Sequence, residues 1–304
     1  MAIVLNTLLI ILTALAIPGV INRTRATLAG RKGMPFSQHL LNVNVLLRKG
    51  AVYSTTTTAL FRIAPAIYLG AAIVAALMMP VADLYPLISF KGDVICFAYT
   101  LALARVAIIL AAMDTGSSFE GMGAAREALY GALIEPALMI GFATLALFCG
   151  YTSFADIFAH EQSFDMHLTI VMLLVAFLFV KITFVESGRV PVDDPRTHLE
   201  LTMIHEVMCL DYSGIDMGMI HIASWLKTAC FSMIAANAVA ATCCFHWWFA
   251  MPLAILLTGL SVGIVESTQA RNKLVRNTTF IVTISALAAL IFFIGYLLKL
   301  NINI

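Results

Sequence analysis

The sequence predicts an all-α integral membrane protein with about eight transmembrane helices. Of its 304 residues, 61% are hydrophobic and only 12% are charged, which is roughly half the charged share of a soluble domain. The mean hydropathy is +0.96. A bilayer core of about 30 Å requires about 20 apolar residues per helix, and such stretches recur along the chain. We therefore expect one integral-membrane domain over residues 1–304.

The predicted spans follow one another without an internal repeat or a second domain. The first span lacks the positively charged start and the small-residue cleavage site of a secretory signal, so we expect it to be retained. In order, the spans cover residues 3–21, 60–80, 93–113, 125–149, 167–185, 219–245, 248–267 and 278–298.

Lysine and arginine residues concentrate in alternate loops, and this bias predicts the orientation because short basic loops stay in the cytoplasm. The cytoplasmic loops then include residues 22–58 and 186–218, and both termini face outward, in a bacterial inner membrane. The basic residues of the cytoplasmic loops are Arg23, Arg25, Arg31, Lys32, Arg48, Lys49, Arg189, Arg196, Arg271, Lys273 and Arg276. The opposite loops are mainly acidic and carry Asp83, Asp93, Asp156, Glu161 and Asp165.

Composition also excludes two classes of function. A formal net charge of +1 provides no basic field for nucleic acid. The six cysteines include no C-x-x-C spacing for an iron–sulfur cluster or a zinc ion. We therefore expect no cofactor in this chain and any redox metal in partner chains.

Two glutamates lie inside the fourth predicted span. Glu127 and Glu135 are eight residues apart, which corresponds to about 12 Å of rise and about 80° of rotation on an α-helix. Both can therefore face one polar seam, where burial would tune carboxyl groups for proton exchange. Arg105 in the third span is a possible partner. The alternative interpretation is a helix-packing ion pair between Arg105 and one glutamate.

The loop between the fifth and sixth spans is the densest charged region of the sequence. Its charged and histidine residues alternate with leucine, methionine, isoleucine and valine, a pattern that favours a half-buried helical loop lining a polar cavity. An ordinary loop helix with surface salt bridges is the alternative. The ionisable residues are Glu186, Arg189, Asp193, Asp194, Arg196, His198, Glu200, His205, Glu206, Asp211 and Asp216.

Two other patterns resemble ligand-binding motifs but have the wrong context. His198 and His205 have a spacing found in neither of the common helical metal motifs, so we expect no metal site. Gly121 and Gly123 precede a helix, but Arg126 occupies the sixth position and no strand comes before them, which excludes a dinucleotide fold. We expect these glycines to permit a tight turn and a close backbone approach.

Isolated charges remain near the ends of predicted spans at Arg62, Lys181, Lys227 and Glu266. Long charged side chains in such positions usually extend to the membrane surface, and we expect the same here. The segment between the first two spans is too long for a simple turn, and its apolar run at residues 40–47 has basic flanks. An interfacial helix is expected there.

One long motif makes a family resemblance specific. The run ESGRVPVDDPRTHLELTMIHE at residues 186–206, followed by DYSG at 211–214, resembles subunit 4 of formate hydrogenlyase and the related subunits of membrane-bound NiFe hydrogenases. This is also the family of the complex I membrane subunit that encloses the quinone chamber. Supporting matches are DTGS at 114–117, Arg126-Glu127, Glu135-Pro136, and RKGMP at 31–35 followed by Gln38.

The resemblance implies an eight-helix fold like that of the quinone-chamber subunit of complex I, and a role in proton coupling. Its cytoplasmic loops would dock the hydrogenase large and small subunits and an iron–sulfur protein, which hold the NiFe centre and the iron–sulfur clusters. Antiporter-like membrane subunits would receive the proton path. By this resemblance, the proton-pathway residues are Glu127, Glu135, Glu186, Asp193, Asp194, Glu200, Glu206 and Asp211, with Arg105, Arg126, Arg189 and Arg196 as possible charge partners.

The PVDDPRTH motif resembles the hydrogenase branch of the family more than the complex I branch. Asp211 stands where a glutamate is usual, and Asn42 stands where relatives commonly carry an acid. The alternative functions are a quinone-site subunit of an NADH:quinone oxidoreductase, an independent ion transporter, and an anchor with inert ion pairs.

Overall fold

The chain folds into an antiparallel array of long helices joined by short loops. The structure is a computed structural model and describes residues 1–159, 166–193, 203–243, 247–270 and 272–302. Within these ranges, eight helices are long and apolar enough to cross a membrane, which confirms the predicted fold class. The helices are α1 (Ala2–Leu28), α2 (Gln38–Leu47), α3 (Ala59–Leu77), α4 (Asp93–Asp114), α5 (Ser118–Cys149), α6 (Phe154–Ala159), α7 (Met166–Glu186), α8 (Gly214–Cys243), α9 (Trp247–Ala254), α10 (Ser261–Thr268) and α11 (Leu274–Ile302).

Two helices begin earlier than the apolar pattern predicts. Helix α5 begins at Ser118 and α8 at Gly214, whereas the predicted spans begin at residues 125 and 219. The first turns of these helices contain Glu120 and Asp216, and both side chains are buried in the fold. Hydropathy alone assigns such residues to a loop, so it shortens both helices.

The two cytoplasmic segments differ in how much helix they contain. The predicted interfacial helix is present as α2, where Val43 is the buried residue. In the described part of the 186–218 loop, the helical content is a 3-10 turn at Val207–Cys209, followed by the start of α8. The expected half-burial is nevertheless observed, because Met203, Ile204 and Met208 are buried.

Aromatic packing fills the centre of the bundle. Five phenylalanines from α4, α5, α6, α7 and α8 contact one another with ring centroids 5.3–6.1 Å apart, in mostly edge-to-face geometry. Such pairs stabilise a core beyond the area they bury. These residues are Phe97, Phe142, Phe154, Phe179 and Phe231.

Two buried amides fix the connection between α3 and α4. Asn6 donates to the carbonyl of Met79 and accepts from the N–H of Val81. Asn237 of α8 donates to the carbonyl of Pro80, and it accepts from the next free N–H of the same connection. Each amide satisfies a donor and an acceptor of a buried turn, which would otherwise cost free energy in an apolar environment.

Candidate functional site

Arg105 of α4 lies at the centre of a buried group of charged side chains. Its Nε is 3.4 Å from Oε1 of Glu127, its Nη1 donates to Glu135 Oε1 at 2.8 Å, and its Nη2 donates to Glu186 Oε1. Glu127 and Glu135 belong to α5, and Glu186 ends α7. The planar guanidinium presents donors in several directions, which suits contact with several carboxylates. The ion pair with one glutamate that the sequence suggested is therefore a contact with three.

Helix α5 makes room for this guanidinium with a glycine placed between its two glutamates. A Cβ at Gly131 would lie 2.7 Å from Nη1 and 2.8 Å from Cδ of Arg105, closer than such atoms approach. The absence of a side chain lets Arg105 cross α5 and reach Glu127 on one side and Glu135 on the other. A glycine in the middle of a span thus has a packing reason here, despite its low helix propensity.

Two more cationic side chains complete the group. Lys227 of α8 lies 3.3 Å from Glu186 Oε2, and Nδ1 of His205 lies 3.0 Å from Glu127 Oε2. The expectation that Lys227 extends to the membrane surface is wrong, since the residue is only 6% exposed. A buried ammonium group is retained when an interior carboxylate is available, and Glu186 provides one. We call Arg105, Glu127, Glu135, Glu186, His205 and Lys227 the Arg105 cluster.

The Arg105 cluster does not balance its charges without a titratable group. Its three glutamates contribute three negative charges when ionised, whereas Arg105 and Lys227 contribute two positive charges. Three minus two leaves one negative charge, which is neutralised when His205 is protonated or when one carboxyl group holds a proton. An uncompensated charge is costly at low dielectric, so the cluster favours the binding of one exchangeable proton.

The pKa of His205 reflects this electrostatic environment. Burial of the imidazole favours its neutral form, but the adjacent carboxylate of Glu127 has the greater effect and raises the pKa of His205 above its ordinary value. The cation that forms is held by the Glu127 contact. His205 is therefore a group of the loop whose charge responds to changes near Glu127.

We expect His205 to stabilise the fold in a pH-dependent way. Because its folded-state pKa is raised, its contribution is fully present below its ordinary pKa of about 6.5 and is lost as the pH rises through the folded-state value. The difference in Tm between the wild type and His205→Gln should be largest in mildly acidic buffer and shrink in alkaline buffer. Thermal unfolding in detergent across this pH range measures it, and a constant difference would contradict the assignment.

The loop after α7 is attached to α5 through its backbone. Asp193 accepts the N–H groups of Ile204 and His205 at 3.0 and 3.1 Å, and Arg126 donates to the carbonyl of Met203 at 3.0 Å. Arg126 thus contacts the main chain of the loop; in the described part of the chain it forms no ion pair, contrary to its predicted role as a charge partner. These bonds fix the position of His205 beside the Arg105 cluster.

Glycines allow this close approach of loop and helix. Gly121 and Gly123 lie inside α5 and not in a turn as expected, because α5 starts before them. The expected close approach occurs at Gly123, where a Cβ would lie 2.8 Å from Val207 Cγ1. Gly188 has a φ of +58°, and a side chain there would occupy the position of the His205 ring.

A second buried ion-pair group joins the loop to the ends of α1 and α10. Glu266 lies 3.3 Å from Nη1 of Arg25 and 3.3 Å from Nη1 of Arg189. The Glu266 side chain is only 3% exposed, so the expectation that it extends to the membrane surface is wrong. One carboxylate therefore connects three segments that are far apart in sequence.

A cavity of about 340 Å³ borders the Arg105 cluster and is lined by α1, α2, α4, α5, α8 and the 187–209 segment. This volume is typical of a small-molecule pocket. Its apolar walls include Ile17, Ile21, Val43 and Trp225. Burial and then the positive charge of Arg189 lower the pKa of another lining residue, His39, which favours a neutral imidazole in the cavity. The polar lining includes Asn22, His39, Asn42, Tyr68, Arg189, Asp193, His205, Glu206, His221 and Lys227.

The structure brings most of the predicted site residues to one region. Glu127, Glu135 and Glu186 meet at Arg105, and Asp193 lines the cavity beside them. Glu206 also lines this cavity, Arg189 pairs with Glu266, and Asp211 lies at the exposed end of the loop. Asp194, Arg196, His198 and Glu200 lie outside the described residues.

The sequence analysis missed three residues of these buried groups. Lys227 and Glu266 were assigned to the membrane surface, and Glu120 was assigned to a loop. All three are buried in the fold. Their common signal is a single charge within or beside a strongly apolar stretch, which is costly in a membrane unless a partner is present.

Eight apolar spans around buried charged groups define a multi-pass membrane protein with a polar interior. Residues 1–297 match the model of the NADH dehydrogenase family, and the chain belongs to this family. Hydrogenase-4 component C of Escherichia coli (strain K12) is 30% identical over 279 residues, which cover 88% of this chain and 86% of that protein. Formate hydrogenlyase subunit 4 of the same strain is 29% identical over 216 residues, covering 70% of this chain and 69% of that protein.

The complex I branch is also represented among the relatives. A membrane subunit of the NADH-quinone oxidoreductase of Streptomyces avermitilis is 29% identical over 174 residues, which cover 56% of this chain and 36% of that protein. A chain in the structure of the membrane-bound sulfane sulfur reductase, an archaeal respiratory membrane complex, has the same fold. Its TM-score is 0.73 at 21% identity, and the match covers 96% of this chain and 100% of that chain. The family resemblance of the 186–206 motif is thus confirmed.

Proposed function

We propose that this chain is the membrane anchor and proton-coupling subunit of a NiFe hydrogenase complex of the formate hydrogenlyase or hydrogenase-4 type. Two relatives that match most of the chain carry those names. In this proposal the partners are the hydrogenase large and small subunits, an iron–sulfur protein and antiporter-like membrane subunits. The NiFe centre and the iron–sulfur clusters reside in those partners, and this chain contributes position and electrostatics.

The charge balance of the Arg105 cluster is the observation that carries the coupling role. The cluster is one positive charge short unless His205 or one of its carboxyl groups binds a proton. In the proposed mechanism, a change of charge in a redox partner docked on the 187–213 loop alters the electrostatic potential at His205 and Glu127. The cluster then binds or releases one proton in response.

Glu135 supports a direction for that proton. Its side chain is 46% exposed on the isolated chain, although it lies within a span, whereas the Glu127 and Glu186 side chains are 10% and 4% exposed. A carboxylate left in contact with lipid is unfavourable, so this position favours cover by another membrane subunit. We propose that the proton leaves the cluster through Glu135 toward that subunit.

Glu135→Gln is expected to abolish proton translocation by the assembled complex, because glutamine keeps the shape of the side chain but cannot carry a proton. Translocation is measured in proteoliposomes of the whole complex with a pH-sensitive dye during hydrogenase turnover. The matched control is Asp83→Asn, which changes an exposed acid in the loop between α3 and α4 and should retain translocation. Unchanged translocation in an assembled Glu135→Gln complex would refute the proposed role.

The cavity favours a second candidate function, a quinone-site subunit of an NADH:quinone oxidoreductase. Apolar walls from α1, α2 and α8 and the polar groups of His39 and Tyr68 fit a ring with carbonyl groups and an apolar tail. Titration of the purified complex with a quinone analogue distinguishes the candidates. Saturable inhibition that Tyr68→Phe weakens would support the quinone site, whereas insensitivity would support the hydrogenase proposal.

A further inference from the structure

Glu120, in the first turn of α5, is a buried carboxylate outside the Arg105 cluster. Its exposed fraction is 0%. Oε1 accepts the backbone N–H of Asp211 at 3.0 Å, whereas Oε2 is buried and accepts no hydrogen bond from the described residues. The nearby hydroxyl of Thr115 donates to the carbonyl of Ala112 at 2.9 Å, so its proton is already engaged. One carboxylate oxygen of Glu120 therefore lacks a donor.

Glu120 also differs from the other buried glutamates in having no cationic partner among the described residues. Glu127, Glu135 and Glu186 contact Arg105, and Glu266 contacts two arginines. A buried carboxyl group without a cation is stabilised by a proton, which removes the charge and supplies an O–H group on the vacant oxygen. The geometry of Glu120 is suited to holding a proton, and the environment of the Arg105 cluster is suited to receiving one.

The position of Glu120 connects the loop surface with the Arg105 cluster. Glu120 and Glu127 are seven residues apart on α5, which places them on one face of the helix with about 10 Å of rise between them. The thiol of Cys209 lies near both. Its pKa is raised to about 12 by burial and then by the carboxylates of Glu120, Glu206 and Glu127. Glu206 therefore belongs to the same neighbourhood and also lines the cavity.

The other ionisable groups that face Glu120 are few. On the side of the loop they are Asp211, whose side chain is exposed, and Tyr212, which is buried and stacks on Phe61. On the side of α4, Asp114 accepts hydrogen bonds from the backbone and hydroxyl of Thr58. None of these groups is a cation. The exposed acid at the loop surface and the buried acid behind it form a short route inward.

We propose that Glu120 is the proton-uptake residue of this chain. It takes one proton from the solvent beside Asp211 onto Oε2 and passes it through the neighbourhood of Glu206 to Glu127. The Glu120 carboxyl group returns to its starting state when the next proton arrives, and no bond other than O–H is made or broken. This inference rests on the proposed coupling function, because it supplies the proton that the Arg105 cluster exchanges.

The test uses the complete purified complex with Glu120→Gln, which keeps an acceptor for the N–H of Asp211. Infrared difference spectra during turnover should lose one protonated-carboxyl band, and proton uptake should slow by about 10²-fold, the effect typical of removing a positioned proton-transfer group. Asp83→Asn is again the control and should retain both. A residue with a purely structural role would not change this band.

The outcomes separate this inference from the proposed function. If Glu120→Gln takes up protons normally while Glu135→Gln abolishes translocation, the role of Glu120 is overturned and the coupling function stands. If neither variant changes translocation, both proposals are refuted. Should Glu120→Gln fail to assemble, Glu120→Asp keeps a carboxyl group that is one methylene shorter. That variant is expected to assemble with slower uptake and a shifted pH profile, and wild-type behaviour would overturn the inference.

Discussion

Replacing Arg105 with methionine is expected to destabilise the folded chain by about 3–5 kcal/mol, the range measured when one partner of a buried ion pair is removed. The side chain is only 10% exposed and contacts three carboxylates. Without it, Glu135 has no partner among the described residues, and the cluster carries two uncompensated charges unless protons bind. Loss of the cluster should also disrupt the packing of α4 on α5 and α7.

Thermal unfolding in detergent and native electrophoresis of the complex measure this effect. Arg62→Met, at an exposed arginine near the start of α3, is the matched control and should change stability little. Arg105→Met combined with Glu135→Gln should recover part of the loss, because the Glu127–His205 and Glu186–Lys227 pairs are retained. Equal Tm values for Arg105→Met and Arg62→Met would contradict a central role for Arg105.

Arg105→Lys should fall between the wild type and Arg105→Met. Lysine restores the positive charge, but its ammonium group is compact and cannot contact three separate carboxylates in the way a planar guanidinium does. The comparison therefore separates charge from geometry. A variant as stable as the wild type would indicate that charge alone holds the cluster together.

The helices and the two seam glutamates were predictable from local sequence, for physical reasons. A membrane span needs a continuous apolar stretch, and such stretches can be recognised without knowledge of the fold. The helical repeat likewise places Glu127 and Glu135 toward the same side of α5. Arg105 was a natural partner because arginine within a span requires a carboxylate.

The partners of Lys227 and Glu266 could not be predicted in the same way. Lys227 and Glu186 are separated by 41 positions, and Glu266 and Arg25 by 241 positions. Each pair depends on how α7, α8, α10 and α1 pack, which no local pattern reveals. A charge near the end of a span is equally compatible with extension to the membrane surface, and the sequence offers no means of choosing.

Glu120 represents a different kind of miss. Its seven-residue spacing from Glu127 was visible in the sequence, but hydropathy placed the start of the helix after it. Because α5 begins at Ser118, the two carboxylates share a helix and a face. Polar first turns that are buried by a neighbouring loop escape an apolar criterion, and charge spacing on the extended helix would have found this residue.

The loop after α7 joins the two buried charged groups, and this arrangement gives the coupling proposal a mechanical basis. Arg189 pairs with Glu266 near one end of the segment, and His205 contacts Glu127 near the other. Asp193 fixes the backbone at His205. A partner that displaces this loop therefore changes the contact at Glu127, and the protonation of the Arg105 cluster depends on the position of the loop.

Glu266→Leu is expected to destabilise the chain by about 3 kcal/mol, because Arg25 and Arg189 would both lose the buried carboxylate that they share. The two guanidinium groups would then repel each other at close range. Since Arg189 belongs to the loop after α7, the 187–193 segment should also lose its attachment to α10. We expect faster cleavage of this loop by a protease and a weaker association with the peripheral partner.

Limited proteolysis and thermal unfolding of the purified complex measure these two effects separately. Glu266→Gln keeps hydrogen-bond acceptance by the amide oxygen without the charge, so it should be intermediate in both. Glu266→Leu combined with Arg189→Met should regain stability, since one unpaired cation is removed, but it should remain sensitive to protease because the loop is still unattached. If the double variant also regains protease resistance, the Arg189–Glu266 contact does not hold the loop.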